Sequence, residues 1–117
     1  MSSKDQAAAA AVNNCDALIG FRPHNGALTA GGKPQQLAAA NGSRKYLIVQ
    51  NPSTGAGQNL KAAESLFIRF GLDAGVNDGT SFEILPGSCM EFDAVVSTEA
   101  VSVNAATAGH RWIAVEA

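Results

Sequence analysis

From Gln35 to Ala117 the chain alternates apolar and polar residues in short runs separated by turn chemistry. In order these are KYLIVQN (Lys45 to Asn51), SLFIRFG (Ser65 to Gly71), SFEIL (Ser81 to Leu85), SCMEFD (Ser88 to Asp93), AVSVN (Ala100 to Asn104) and RWIAVE (Arg111 to Glu116). A period of two sends successive side chains to opposite faces, which predicts antiparallel strands packed on one side. Leu47 and Val49 share a face, as do Leu66, Ile68 and Phe70, Phe82 and Ile84, and Met90 and Phe92. Val101 pairs with Val103 in the same way, and Ile113 with Val115. These sets are read as the core face. Tyr46, Ile48, Phe67 and Trp112 lie on the opposite faces. Either the arm or loops cover them, or they form an apolar patch for a neighbouring subunit, so they are the interface candidates.

The punctuation agrees with the pattern. Asn41-Gly42 is a tight-turn dipeptide. Pro52 ends the strand before it, because proline cannot extend a ladder. Asp73 to Gly79 is a loop of residues tolerant of left-handed backbone, and Leu85-Pro86-Gly87-Ser88 is a turn with Gly87 free to take positive φ. Weaker elements come before Lys45: Ala17 to Phe21 as a first strand, brief pairing at Leu28 and Thr29, and Gln36 to Ala39. The expected fold is all-β: an antiparallel β-sandwich of roughly eight strands, jelly-roll-like, with an extended or short-helical N-terminal arm. Residues 1–34 form the arm and leading edge segment, and residues 35–117 the sandwich body. Within the arm the run Ala7 to Ala11 favours helix, yet a tract so short is marginal alone.

Composition narrows the function classes. A chain of 117 residues is one domain, large enough to bury roughly two thirds of its unfolded surface without crosslinks. A net charge of −2 with scattered Lys and Arg argues against nucleic acid or an anionic membrane as partner. No run reaches the roughly 18 apolar residues of a membrane span, and the N-terminal tract lacks the apolar centre of a signal peptide. A cytosolic origin is therefore expected, with Cys15 and Cys89 as two free thiols. Charged residues are 15 % of the chain, few for a surface facing only water, and this hints at a partner.

Candidate chemistry is thin. Gly55-Ala-Gly57 before Lys61 lacks the spacing of a phosphate loop, and Asp73, Asn77, Asp78 and Glu83 are too sparse for a calcium loop. His24 and His110 are far apart, and no serine sits in a nucleophile elbow. Of Glu64, Glu83, Glu91, Asp93 and Glu99, candidates for a glycosidase carboxylate pair, most fall on polar faces or strand ends, where solvated charge is the default. No catalytic, cofactor-binding or metal-ligating residues are expected.

The order of the segments carries more. Asn41, Arg44, Leu47, Gln50 and Asn51 form an N-x-x-R-x-x-L-x-x-Q-N run, followed by Phe70-Gly71, by Leu85-Pro86-Gly87, and by Gly109, Trp112 and Glu116 in the closing strand. From about Gln35 to Ala117 the chain resembles small structural proteins of tailed bacteriophages. That resemblance implies a non-enzymatic virion protein on the capsid surface, assembled in the host bacterial cytoplasm. Its implied role is a decoration (cement) protein that stabilises the capsid by binding between major capsid protein subunits. A homo-oligomer, dimer or trimer, is expected with it, and no cofactor. The alternative is a head-fibre or tail-associated module that binds a receptor or glycan; the sparse aromatics weigh against it.

Overall fold

The computed structural model describes residues 21–52 and 63–117, which hold nine short strands and no helix. They are β1 (Arg22–Pro23), β2 (Gly26–Ala27), β3 (Gln35–Ala38), β4 (Leu47–Gln50), β5 (Leu66–Phe70), β6 (Phe82–Ile84), β7 (Cys89–Phe92), β8 (Val101–Asn104) and β9 (Arg111–Glu116). Each of the six strands expected from Lys45 onward is present within its run. The strand expected at Gln36 to Ala39 runs Gln35–Ala38, and the brief pairing expected at Leu28 and Thr29 falls at Gly26–Ala27. The Ala-rich arm, Cys15, most of the Ala17 to Phe21 segment and the Gly55 to Lys61 stretch lie outside the described residues.

The strands form two antiparallel sheets. Sheet one runs β1-β9-β4-β7, with β2 paired to the leading half of β9; sheet two runs β3-β8-β5-β6. One buried cluster joins them. Leu47, Val49, Trp112 and Ala114 of sheet one belong to the same cluster as Leu37, Leu66, Ile68, Ile84, Val101 and Val103 of sheet two. Burial of each large aliphatic side chain contributes about 1.5–3 kcal/mol, so this cluster is the main source of stability. Phe70, Met90 and Phe92 pack at its margin.

The inward face of β9 differs from expectation. Ile113 was assigned to the core with Val115, but Ile113 is 42 % exposed, and Trp112, Ala114 and Glu116 point inward instead. Alternation fixes that two faces exist; it cannot say which is inner when both are apolar. Trp112 decides the matter here. Its indole N–H donates to the His24 carbonyl at 2.6 Å, and its ring occupies the space beside Gly26. A Cβ on Gly26 would stand 2.5 Å from the Trp112 ring. Glycine is needed there so that the ring can lie against the backbone.

Phe67 is buried at 5 % exposure, although it points away from the shared cluster. The loop after β5 covers that outer face of sheet two. Ser102 Oγ accepts from the Ala74 N–H, and Asn104 Nδ2 donates to the Ala74 carbonyl. Phe67 stands directly opposite Asn104 in the ladder, beneath the same cover. The turn at Leu85-Pro86-Gly87-Ser88 is as the sequence predicts: Gly87 has φ of 80°, and Ser88 N–H closes on the Leu85 carbonyl at 2.9 Å.

Candidate functional site

Seven of the polar residues singled out by the sequence, His24, Asn41, Arg44, Asn51, Glu64, His110 and Glu116, are internal fasteners. Arg44 lies just before β4 and is buried. Its Nε donates to Glu116 at 2.7 Å, Nη1 to the carbonyls of Ser97 and Glu99, and Nη2 to the Ala39 carbonyl. Glu116, on the inward side of β9, also contacts His24 Nε2 at 2.7 Å and accepts from Asn41 Nδ2 at 3.3 Å. Asn41 itself forms a local turn, its Oδ1 accepting from the Ser43 N–H. The Asn41–Arg44 pair and the final Glu116 are thus one lock, tying the loop before β4 to β9 and to the loop before β8.

A second network sits on the other side of the core. Asn51 Nδ2 donates to the carbonyls of Ile84 and Glu64. Its Oδ1 therefore accepts, and His110 Nε2 donates to it at 2.8 Å. His110 Nδ1 meets Glu64 at 2.9 Å, and Thr107 donates to Glu64 through both its N–H and its hydroxyl. His110 and Asn51 are wholly buried. Among the described residues His110 meets Asn51 and Glu64 through its ring. Its role is to join β9 to the loops around β4 and β5.

Burial would push the carboxyls of Glu64 and Glu116 up; the hydrogen bonds to them outweigh it. His110 and Thr107 hold Glu64 below the usual glutamate value, and Arg44, His24 and Asn41 do the same for Glu116. A carboxyl lowered in the fold stabilises it above the unfolded value of 4.5 and loses that contribution as pH falls through the folded value. The urea midpoint is expected to hold steady from about pH 7 to 5 and to drop below about pH 4.5. A midpoint unchanged down to about pH 3 would contradict this.

The outer face of sheet one carries an apolar patch. On the outer face of sheet one, Val115 stands opposite Ile48, and Ile48 opposite Glu91; in the next row Ile113 faces Gln50, and Gln50 faces Cys89. Ile48, Ile113, Val115 and Cys89 border a shallow groove of about 280 Å³. Tyr46 continues this face and stacks on Phe21, ring centroids 6.2 Å apart. Of the four interface candidates, Tyr46 and Ile48 lie on this half-exposed face, whereas Phe67 and Trp112 are buried within the chain. Ile113, Val115 and Phe21 belong to the face and were not singled out. A signal for them exists: β9 is apolar on both sides, so one apolar side must point outward.

Tyr46 gives the face a spectroscopic handle. Its hydroxyl donates to Glu91 at 2.6 Å. That hydrogen bond, followed by desolvation and the charges of Glu91 and Asp93, pushes the phenol up to about 12. The chain has one tyrosine, so absorbance titration reads this group alone. The midpoint is expected near 12 in the native protein and close to the ordinary value of about 10 in Glu91→Gln. Equal midpoints in both proteins would break the assignment.

Phe70, Phe82 and Phe92 form a second apolar cluster where the β6 and β7 edges of the two sheets approach, with edge-on contacts 5.2–6.4 Å apart. The loop acids behave as turn chemistry: Asp78 accepts from the backbone and hydroxyl of Thr80, which hold its carboxyl below the usual range. Among the described residues no three His, Cys, Asp or Glu gather as a metal site. Cys89 is an exposed free thiol, and Cys15 lies outside the described residues. No helix among the described residues is long and apolar enough to cross a membrane. No protein family, no curated protein and no solved structure matches the chain.

Proposed function

We propose that this chain is a non-enzymatic virion structural protein that decorates and stabilises a tailed-phage capsid, binding between major capsid protein subunits. One observation carries the reading. Arg44, Glu116, Asn51, Glu64 and His110 are turned inward and bound in two networks, while the outward face of sheet one offers contiguous apolar side chains in Ile113, Val115 and Ile48. Such a molecule works by covering surface rather than by transforming a substrate. The resemblance to small phage structural proteins supplies the setting, and its matching residues Asn41, Arg44, Asn51 and Glu116 are those of the two buried networks.

We further read the two sheets as a jelly-roll-like sandwich. Apart from β1–β2 and β5–β6, each connection carries the chain from one sheet to the other. That alternation, with four-strand paths in both sheets, is what two nested Greek keys produce. Rigid and small, such a unit suits repeated placement on a shell, where many copies multiply a modest contact.

The test is direct mixing of purified protein with undecorated shells of the parent phage, followed by sedimentation. Saturable, stoichiometric co-sedimentation is expected. Absence of binding to mature and immature shells alike would overturn the decoration role and direct attention to fibre or tail partners.

A further inference from the structure

We propose that the outer face of sheet one docks a second copy of this chain about a two-fold axis, with Arg111 of each protomer paired to the partner's Glu91. The inference rests on the surface-binding reading above and gives it a partner and a geometry. Parity along the strands places Arg111, Ile113 and Val115 of β9 on one face with Ile48 and Gln50 of β4, Tyr46 just before it, and Cys89 and Glu91 of β7. Registers fix their positions: Val115, Ile48 and Glu91 form one cross-strand row, and Ile113, Gln50 and Cys89 the row beside it. Arg111 lies one step beyond Ile113, opposite Ala27.

Gln50 stands midway on this face, with Ile113, Val115 and Ile48 grouped beside it, a cation at one corner and a carboxylate at the corner diagonally across. Rows and strands are spaced by about 7 and 5 Å, so the two charges stand at comparable offsets from the middle. An interface between identical copies must be self-complementary: if one residue meets another, the reverse contact occurs as well. A two-fold axis lying in this face, and running across the Arg111–Glu91 diagonal, satisfies that condition. It brings Arg111 to the partner's Glu91, Ile113 over the partner's Ile48, and Val115 close to the partner's Val115. Both opposite-charge pairs then flank a centre where Gln50 meets the partner's Gln50, with Ile113, Ile48 and Val115 of each copy packed beside it. Glu91 already accepts the Tyr46 hydroxyl, which leaves its second oxygen available to the guanidinium.

The experiment is the solution mass of the full chain by light scattering, under reducing conditions so that Cys89 cannot crosslink. The wild type is expected at twice the chain mass. Arg111→Glu and Glu91→Arg, each setting like charges against each other, are expected to weaken the dimer by about tenfold or more. The double variant Arg111→Glu/Glu91→Arg restores the opposite pairing and is expected to dimerise like the wild type. Both sites are exposed, and Trp112 fluorescence checks that each variant is folded. A wild-type monomer or trimer, single variants that dimerise undiminished, or a double variant that stays monomeric would overturn the proposal. The same proteins mixed with shells separate the two readings. A monomer that still decorates removes the dimer alone, and a charge-dependent dimer that ignores shells removes decoration alone.

Discussion

Replacing Arg44 with alanine is expected to cost about 3–5 kcal/mol of folding stability, because it strands one half of a buried charge pair. All three guanidinium nitrogens donate, to the Glu116 carboxylate and to three backbone carbonyls at 2.7–2.9 Å. Without them Glu116 keeps His24 and Asn41 but loses its buried cation, and the carbonyls of Ala39, Ser97 and Glu99 lose these donors. Domains of this size have only about 5–15 kcal/mol in total, so the variant would sit near the edge of folding. Arg44→Lys is expected to recover little. An ammonium group on a flexible stem cannot reproduce a planar fork that reaches acceptors in three directions. Arg44→Met combined with Glu116→Leu should be milder than Arg44→Ala, since it removes both charges together. Urea unfolding followed by the single tryptophan, Trp112, measures each case. A loss below about 1 kcal/mol for Arg44→Ala would mean the pair is a solvated surface contact.

Asn51→Leu is the second large effect, expected at about 3 kcal/mol or more. Leucine keeps the branched shape of the side chain but carries no hydrogen-bonding group. The carboxamide serves three buried partners at once: the Ile84 and Glu64 carbonyls and the His110 ring. Leaving several buried groups without this partner costs far more than one hydrogen bond contributes on average. Asn51→Asp distinguishes donor loss from acceptor loss. It keeps an acceptor for His110 but sets an anion against two carbonyl oxygens, so it too should destabilise strongly at neutral pH. If Asn51→Asp is as stable as the wild type, the donor half of the network is misassigned.

These two sites show what the sequence made legible and what it did not. The runs around Leu47, Leu66, Val101 and Trp112 announced strands, because a period of two is a local signal. Turn residues such as Gly87 were legible for the same reason. The pairing of β1 with β9 was not, since it joins Pro23 to Val115 across most of the chain and leaves no local trace. Burial of Phe67 depends on a loop held by Ser102 and Asn104, again a long-range matter. The Asn41, Arg44, Asn51 and Glu116 positions read as turn and strand-end residues; their partners lie up to 92 residues away, as for Glu116 and His24. The outward apolar side of β9 was open to inference from composition, but Trp112 biased the choice of face, since only the position of Gly26 seats its ring inside.

For the surface itself the consequence is that binding and folding are separable. Ile113 and Val115 can change without disturbing either buried network, because their side chains point away from Glu116 and Trp112. The function proposed above predicts a property of the shell rather than of the isolated protein. The most direct measurement compares the heat-induced disruption of parent-phage shells, stripped and then re-saturated with this protein, by scanning calorimetry. The disruption temperature is expected to rise on saturation and to fall back when the protein is removed. Shells that bind the protein at full occupancy yet melt at an unchanged temperature would contradict a stabilising role.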